Sequence, residues 1–154
     1  MPRAARPTLS HVDPSGRIRM VDVGDKPVVE RHAIAEGFIR VSAATRRLVR
    51  RGGVKKGSPL EIARIAGIQA AKRTSDLIPL CHPLPLTHVQ VEVVEARGGY
   101  RITAATRTSA QTGVEMEALA AVSVAALTVY DMLKAADKAM VIEGIRLVEK
   151  RKGA

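Results

Sequence analysis

The order of elements in this sequence predicts one α+β domain, an antiparallel β-sheet packed against helices, and three observations carry that prediction. Two alternating runs, His88 to Val93 and Tyr100 to Thr106, flank the turn Arg97-Gly98-Gly99 and read as a β-hairpin. A stripe of Leu119, Val122, Ala126, Val129 and Leu133, at alternating spacings of three and four, reads as the buried face of a long helix. A length of 154 residues with 46% hydrophobic content suits a single core that buries roughly two thirds of the unfolded surface.

Residues 1–16 read as an arm ending in the turn Asp13-Pro-Ser-Gly16, residues 17–150 as the domain, and residues 151–154 as a short tail. Val28 to Val41 is β-compatible, with a bulge expected at Gly37. Ser42 can cap a helix running through Arg51, which Gly52 and Gly53 stop. Ser58-Pro-Leu-Glu61 combines a capping box with proline at the first helical position, so a second helix is expected from Pro59 to about Arg73. Pro79, Pro83 and Pro85 then keep a helix interior or a central strand from running through Asp76 to Leu86, which reads as a rigid loop. After the hairpin, Thr112-Gly113 opens the long helix to about Asp137, and Met140 to Val148 reads as a closing strand. The order β-α-α-β-β-α-β is that of a ferredoxin-like sandwich.

Composition narrows the function classes. A single cysteine excludes an internal disulfide framework and a closed zinc site of several thiolates, and points to a reducing cytoplasm. The N-terminus has positive charge but no apolar stretch behind it, so it does not read as a secretory signal. The apolar run from Ala118 to Tyr130 is too short to cross a bilayer, and no membrane association is expected. Net charge is +10, and setting aside the four terminal positives Arg3, Arg6, Arg151 and Lys152 leaves +6. That excess favours an anionic partner, nucleic acid or a phosphorylated metabolite. Only Phe38, Tyr100 and Tyr130 could stack on bases, which argues against nucleic acid.

Five sets of polar residues stand out. Cys81 and His82 sit between prolines in the rigid loop, where packing can aim an imidazole at a ligand. Lys55-Lys56-Gly57 precedes the cap of the second helix, whose free N–H groups and dipole favour phosphate, although a loop lysine pair is ordinarily just solvated. Glu115 and Glu117 lie in the first turn of the long helix, where the macrodipole alone would explain them. They point about 200° apart, so they cannot act as a pair on one atom. Glu117 also heads a small-residue stripe through Ala121, Val124, Thr128 and Asp131, which suits close approach by another element or another subunit. Asp131 and Lys134 form an i, i+3 pair, ordinarily a mere surface ion pair and otherwise an acid/base couple at a subunit seam. Lys150 lies in the last strand or just past it. Fourteen residues, roughly 21 Å of helix axis, separate Glu117 from Asp131, so a compact substrate touching both implies two copies of the chain.

Ala63-Arg-Ile-Ala-Gly-Ile-Gln-Ala-Ala-Lys-Arg-Thr74, Leu77-Ile-Pro-Leu-Cys-His-Pro83, Thr112-Gly-Val-Glu-Met-Glu-Ala-Leu119 and Leu127-Thr-Val-Tyr-Asp-Met132 closely resemble the cyclic pyranopterin monophosphate synthase family of molybdenum cofactor biosynthesis. The likeness runs from about Asp13 to Lys150. It implies a ferredoxin-like subunit, a homohexamer built as a trimer of dimers, and active sites at subunit contacts. The implied reaction is lyase chemistry on 3′,8-cyclo-7,8-dihydroguanosine triphosphate, supplied by an upstream radical enzyme, which yields cyclic pyranopterin monophosphate and pyrophosphate. By the family pattern Leu80, Cys81, His82, Met116 and Glu117 contact substrate, and Glu115 and Lys150 match further site positions. Asp131 matches the catalytic aspartate, and Lys134 and Lys56 match functional lysines. Two departures stand out: Lys56-Gly-Ser58 replaces the usual Lys-Gly-Asp, and the chain stops at Lys150-Arg-Lys-Gly-Ala154 where the family often has a glycine- and lysine-rich tail.

Every step of such a reaction moves protons. The expected catalytic set is Asp131 with Lys134 as a proton-transferring couple, Lys56 acting on phosphate or as acid, and His82 as a binding or relay group. Clustered cations are expected to depress a lysine pKa. No cofactor or protein-bound metal is called for, although Mg²⁺ can pair with the substrate phosphates. The alternatives are a nucleic-acid-binding module of the same fold and a metal hydrolase using Cys81, His82 and His88.

Overall fold

The computed structural model describes residues 9–153. Its elements are β1 (Val29–Arg40), α1 (Ala43–Arg50), α2 (Pro59–Lys72), α3 (Thr74–Leu77), β2 (Leu86–Ala96), β3 (Gly99–Ala110), α4 (Glu115–Leu133) and β4 (Val141–Lys152). The strands form one antiparallel sheet in the order β2-β3-β1-β4, the arrangement expected of the ferredoxin-like sandwich. Odd-numbered residues of β1 (Ala33, Ala35 and Ile39) and even-numbered residues of β3 (Tyr100, Ile102 and Ala104) are buried under the helices. The period-two alternation thus assigns one face of the sheet to the core.

The caps behave as their chemistry requires, with one exception. Ser42 and Ser58 accept from the N–H groups of Thr45 and Glu61, which starts α1 and α2. The capping box is only half made, because the Glu61 carboxylate turns to Arg64 at 2.8 Å instead of reaching back to Ser58. An unforeseen turn of helix, α3, takes the first two residues of the segment expected as loop; Thr74 secures it by donating to the carbonyls of Ala70 and Ala71.

α4 packs on the sheet with one side and on α2 with another. Gly67 of α2 makes this possible: a Cβ there would stand 2.9 Å from the Ala121 carbonyl oxygen and 3.1 Å from Val91. Ala118, Ala121 and Ala125 are therefore fully buried beside the predicted stripe. The small-residue stripe headed by Glu117 is in its first half a seat for α2 of the same chain, which removes the need for a second subunit to cover it. α4 as a whole is long and apolar enough to cross a bilayer, more than its central run suggests. Its apolar sides serve the core instead.

The long helix stops at Leu133, short of the expected Asp137. The Asp137 N–H still donates to the Leu133 carbonyl at 3.0 Å, while its carboxylate accepts from the N–H groups of Ser42 at 2.8 Å and Ala139 at 3.0 Å and ties the turn before α1 to the entry of β4. β4 runs to Lys152, two residues into the segment expected as tail, because β1 offers partners for Arg151 and Lys152 in His32 and Arg31. Register shifts in β1–β4, one of them skipping Gly37 as expected, hide this length in the alternation.

Candidate active site

The proline loop and the start of α4 are each pinned to β3. Thr106 donates through Oγ1 to the Val114 carbonyl at 3.1 Å, fixing where α4 begins. Thr108 donates to the Pro85 carbonyl at 2.7 Å, which holds the end of the loop on β3, and the Cys81 N–H donates to the Ile78 carbonyl, which closes a turn inside the loop. A cleft of about 360 Å³ opens between the loop and the start of α4. Leu80, Cys81 and His82 form one wall; Glu115, Met116 and Glu117 form the facing one. The Glu115 carboxylate lies against Gly113, where a Cβ would push it aside. Lys150 of β4 joins by an ion pair with Glu115.

Seven residues singled out in the sequence therefore meet at one end of α4. Among the cleft residues that were not singled out are Ser10 and His11, in the stretch expected as an arm, and Lys26. The Asp13-Pro-Ser-Gly16 turn was the available signal. The Asp13 carboxylate accepts from the N–H groups of Ser15 and Arg17, the chain reverses so that Val12 pairs with Ile18, and the segment folds back over the cleft. Residues 1–8 of the expected arm lie outside the described residues.

The electrostatics separate the acids by role. Glu117 is only 4% exposed, and burial pushes its carboxyl up to about 7, with the Glu115 charge acting in the same direction and its own backbone N–H opposing. Near neutral pH it is half protonated and able to give or take a proton. Glu115 is held instead by the Lys150 ammonium. Burial raises the Cys81 thiol, and the Glu117 and Glu115 charges raise it further, so it stays protonated and serves as a neutral contact.

Asp131 and Lys134 stand at the far end of α4, 2.7 Å apart and each more than half exposed. The hydrogen bond and charge of Lys134, with a smaller contribution from Lys56, hold the Asp131 carboxyl below its usual range. Lys134 moves opposite to the expectation of a depressed lysine. Its nearest charge is the Asp131 carboxylate, which stabilises the ammonium and raises its pKa. The expected set is thus split in two within one chain: the loop, Glu115, Met116, Glu117 and Lys150 at one end, Lys56, Asp131 and Lys134 at the other.

The constellations of the alternatives disperse. His88 lies on the uncovered face of the sheet with His32 and Arg107, away from Cys81 and His82, and among the described residues no three His, Cys, Asp or Glu side chains converge as a metal set. Tyr100 is turned into the core. The model of the MoaC family matches residues 20–153, nearly the whole chain. The protein belongs to that family, the cyclic pyranopterin monophosphate synthase family, and has its place in molybdenum cofactor biosynthesis.

Proposed function

We propose that this protein is the lyase that converts 3′,8-cyclo-7,8-dihydroguanosine triphosphate into cyclic pyranopterin monophosphate and pyrophosphate, in a site completed by two copies of the chain. The observation that carries the reading is the convergence of Leu80, Cys81, His82, Glu115, Met116, Glu117 and Lys150 at one end of α4, with Asp131, Lys134 and Lys56 at the other. The outer face of α4 supports the second half of it. Met116, Ala120, Ser123, Leu127 and Tyr130 recur at spacings of four and three, and Met116 and Leu127 are 38% and 58% exposed. An antiparallel partner helix centred on Ser123 would set Met116 against Tyr130 and Leu119 against Leu127. The same symmetry sets Glu115 against the partner copy's equivalent of Asp131, closing the gap of roughly 24 Å of helix axis that divides Glu115 from Asp131 within one chain.

In this site the cations receive the phosphates. Lys56 and Lys134 lie where a triphosphate entering from the partner's cleft would arrive. Ring opening and ring rebuilding need groups that exchange protons near neutrality, which suits Glu117, with the His82 ring on the facing wall of the cleft. Attack of a sugar oxygen on the α-phosphorus forms the cyclic phosphate and expels pyrophosphate, whose charge the lysines stabilise. Asp131, ionised and weakly basic while exposed, becomes a stronger base once a partner helix and substrate remove its water. No redox cofactor takes part; Mg²⁺ enters only with the substrate phosphates. The assembly proposed is a homohexamer of three such dimers, working in the cytoplasm downstream of the radical enzyme that makes the cyclised nucleotide, and free of nucleic acid and membrane.

The test is incubation of the purified protein with the cyclised guanosine triphosphate, followed by mass detection of products. The expected result is the pterin and pyrophosphate in equal amounts without an added redox cofactor. Recovery of intact substrate from folded protein would remove the proposal.

A further inference from the structure

A second cavity, of about 420 Å³, lies between the end of α1 and the start of α2, on the far side of the molecule's helix layer from the proline loop. Its walls are apolar at Val49, Val54, Pro59 and Leu60, while its polar side chains are Arg50, Ser58, Glu95 and Tyr100. We propose that this cavity is an oxyanion site for a phosphate-class anion, held by the Tyr100 hydroxyl, the Leu60 N–H and the Arg50 guanidinium.

The cavity presents donors in need of an acceptor. Tyr100 is 1% exposed, and its Oη has no hydrogen-bond partner. A buried hydroxyl of this kind is rare because its lost hydration is uncompensated. Burial, and next the Glu95 charge, raise the phenol, so it remains a protonated donor. α2 begins here, with Ser58, Pro59 and Leu60 in the wall, so the positive end of its dipole lies at the cavity. Pro59 has no N–H, Ser58 takes the Glu61 N–H, and the Ile62 N–H goes to the Ser58 carbonyl. The Leu60 N–H is left without an acceptor among the described residues.

The charge balance favours an anion. Glu95 is flanked by two guanidiniums, Arg46 at 3.0 Å and Arg50 at 3.3 Å, so its acceptor atoms are committed and the group as a whole keeps a positive charge. An incoming ligand meets free donors, a net cation and a helix N-terminus, and phosphate oxygens answer all three. Val54 and Gly57 bracket Lys56, so a bound anion would brace the loop that carries it.

The experiment is calorimetric titration of the full chain with inorganic phosphate and with pyrophosphate, alongside thermal melting, for wild type, Tyr100→Phe, Arg50→Ala and His82→Ala. The wild type is expected to bind one anion per chain at this cavity. Tyr100→Phe, which deletes only the oxygen, should weaken binding at least about tenfold, and should raise the melting temperature of the ligand-free protein because it removes an unpaired buried hydroxyl. Arg50→Ala should weaken binding in the same direction, and His82→Ala should leave it unchanged. The proposal is overturned if no heat appears up to about 10 mM phosphate, a range that would reveal even millimolar affinity. It is equally overturned if Tyr100→Phe binds as wild type does, or if His82→Ala, or Lys134→Ala titrated beside it, abolishes binding and thereby moves the anion to one half of the proposed active site.

Discussion

Replacing Glu117 with glutamine should flatten the dependence of stability on pH, and the size of the effect follows from its burial. Folding raises this carboxyl from 4.5 to about 7 because water is withdrawn from it. Between those two values the unfolded chain has released a proton that the folded chain still binds. Raising pH through the window therefore costs stability, and the whole loss is reached only above the folded value. At 1.36 kcal/mol per unit, the total is about 3 kcal/mol, of which between about 2 and 3 falls between about pH 5 and about pH 8. Glutamine keeps the shape and never ionises. Urea unfolding of both proteins, at the two pH values and one protein concentration, gives the difference of differences directly. The glutamine variant should gain that amount relative to wild type on going from the lower pH to the higher. Parallel pH profiles would show that Glu117 is not held protonated by its surroundings, and its proton-transfer role would go with it.

Asp131→Asn keeps the shape of its site but loses the basic carboxylate, and it should reduce turnover at least about 10²-fold in the pterin-forming assay, with folding unchanged by circular dichroism. Near wild-type turnover would demote Asp131 and Lys134 to a surface ion pair. Gly67→Ala should destabilise the fold by about 1 to 3 kcal/mol in urea, since its Cβ would press on the Ala121 carbonyl at 2.9 Å and neither backbone can yield without repacking α2 on α4. Asp137→Ala should cost about 1 to 3 kcal/mol by the same measurement, because the Ser42 N–H loses the carboxylate that accepts it at 2.8 Å. A cost near zero in either case would mean that the contact is dispensable.

Much of the architecture was legible because local chemistry and global fold agree in this chain. Ser42 and Ser58 cap helices as their hydroxyls favour, the hairpin follows its alternation, and the predicted stripe is buried from Val122 to Leu133, while Leu119 at its head is only partly covered. What escaped was decided by partners distant in sequence. The turn that follows α4 is held by the Asp137 carboxylate, which accepts from the Ser42 N–H, 95 residues away. β4 runs on to Lys152 because β1 supplies a partner, and the shifted register erases the alternation that would have revealed it. The site divides in the same manner. The motif residues of the loop and of α4 could be selected from sequence, and their meeting in one cleft follows from the anchors on β3. Ser10, His11 and Lys26 belong to a segment without regular structure and carry no periodic signal. The partial filling of the small-residue stripe by α2 depends on Gly67, whose role appears only when the two helices are seen in contact. The pKa of Glu117 likewise comes from burial that its position in a first helical turn does not announce.

The central claim is that each site draws Glu117 from one copy of the chain and Asp131 from another, and subunit mixing tests it most directly. Glu117→Ala and Asp131→Ala are each expected to be inactive alone. After subunit exchange at equal concentrations, half of the dimers carry one variant of each kind. In each of these, one of the two sites combines both lesions and the other is intact. Activity should therefore return to about a quarter of the wild-type value, by the statistics of a two-fold interface. No recovery, with exchange verified by mass spectrometry of the mixed dimers, would place both residues within the site of a single copy or deny one of them a role, and the two-copy account would fail.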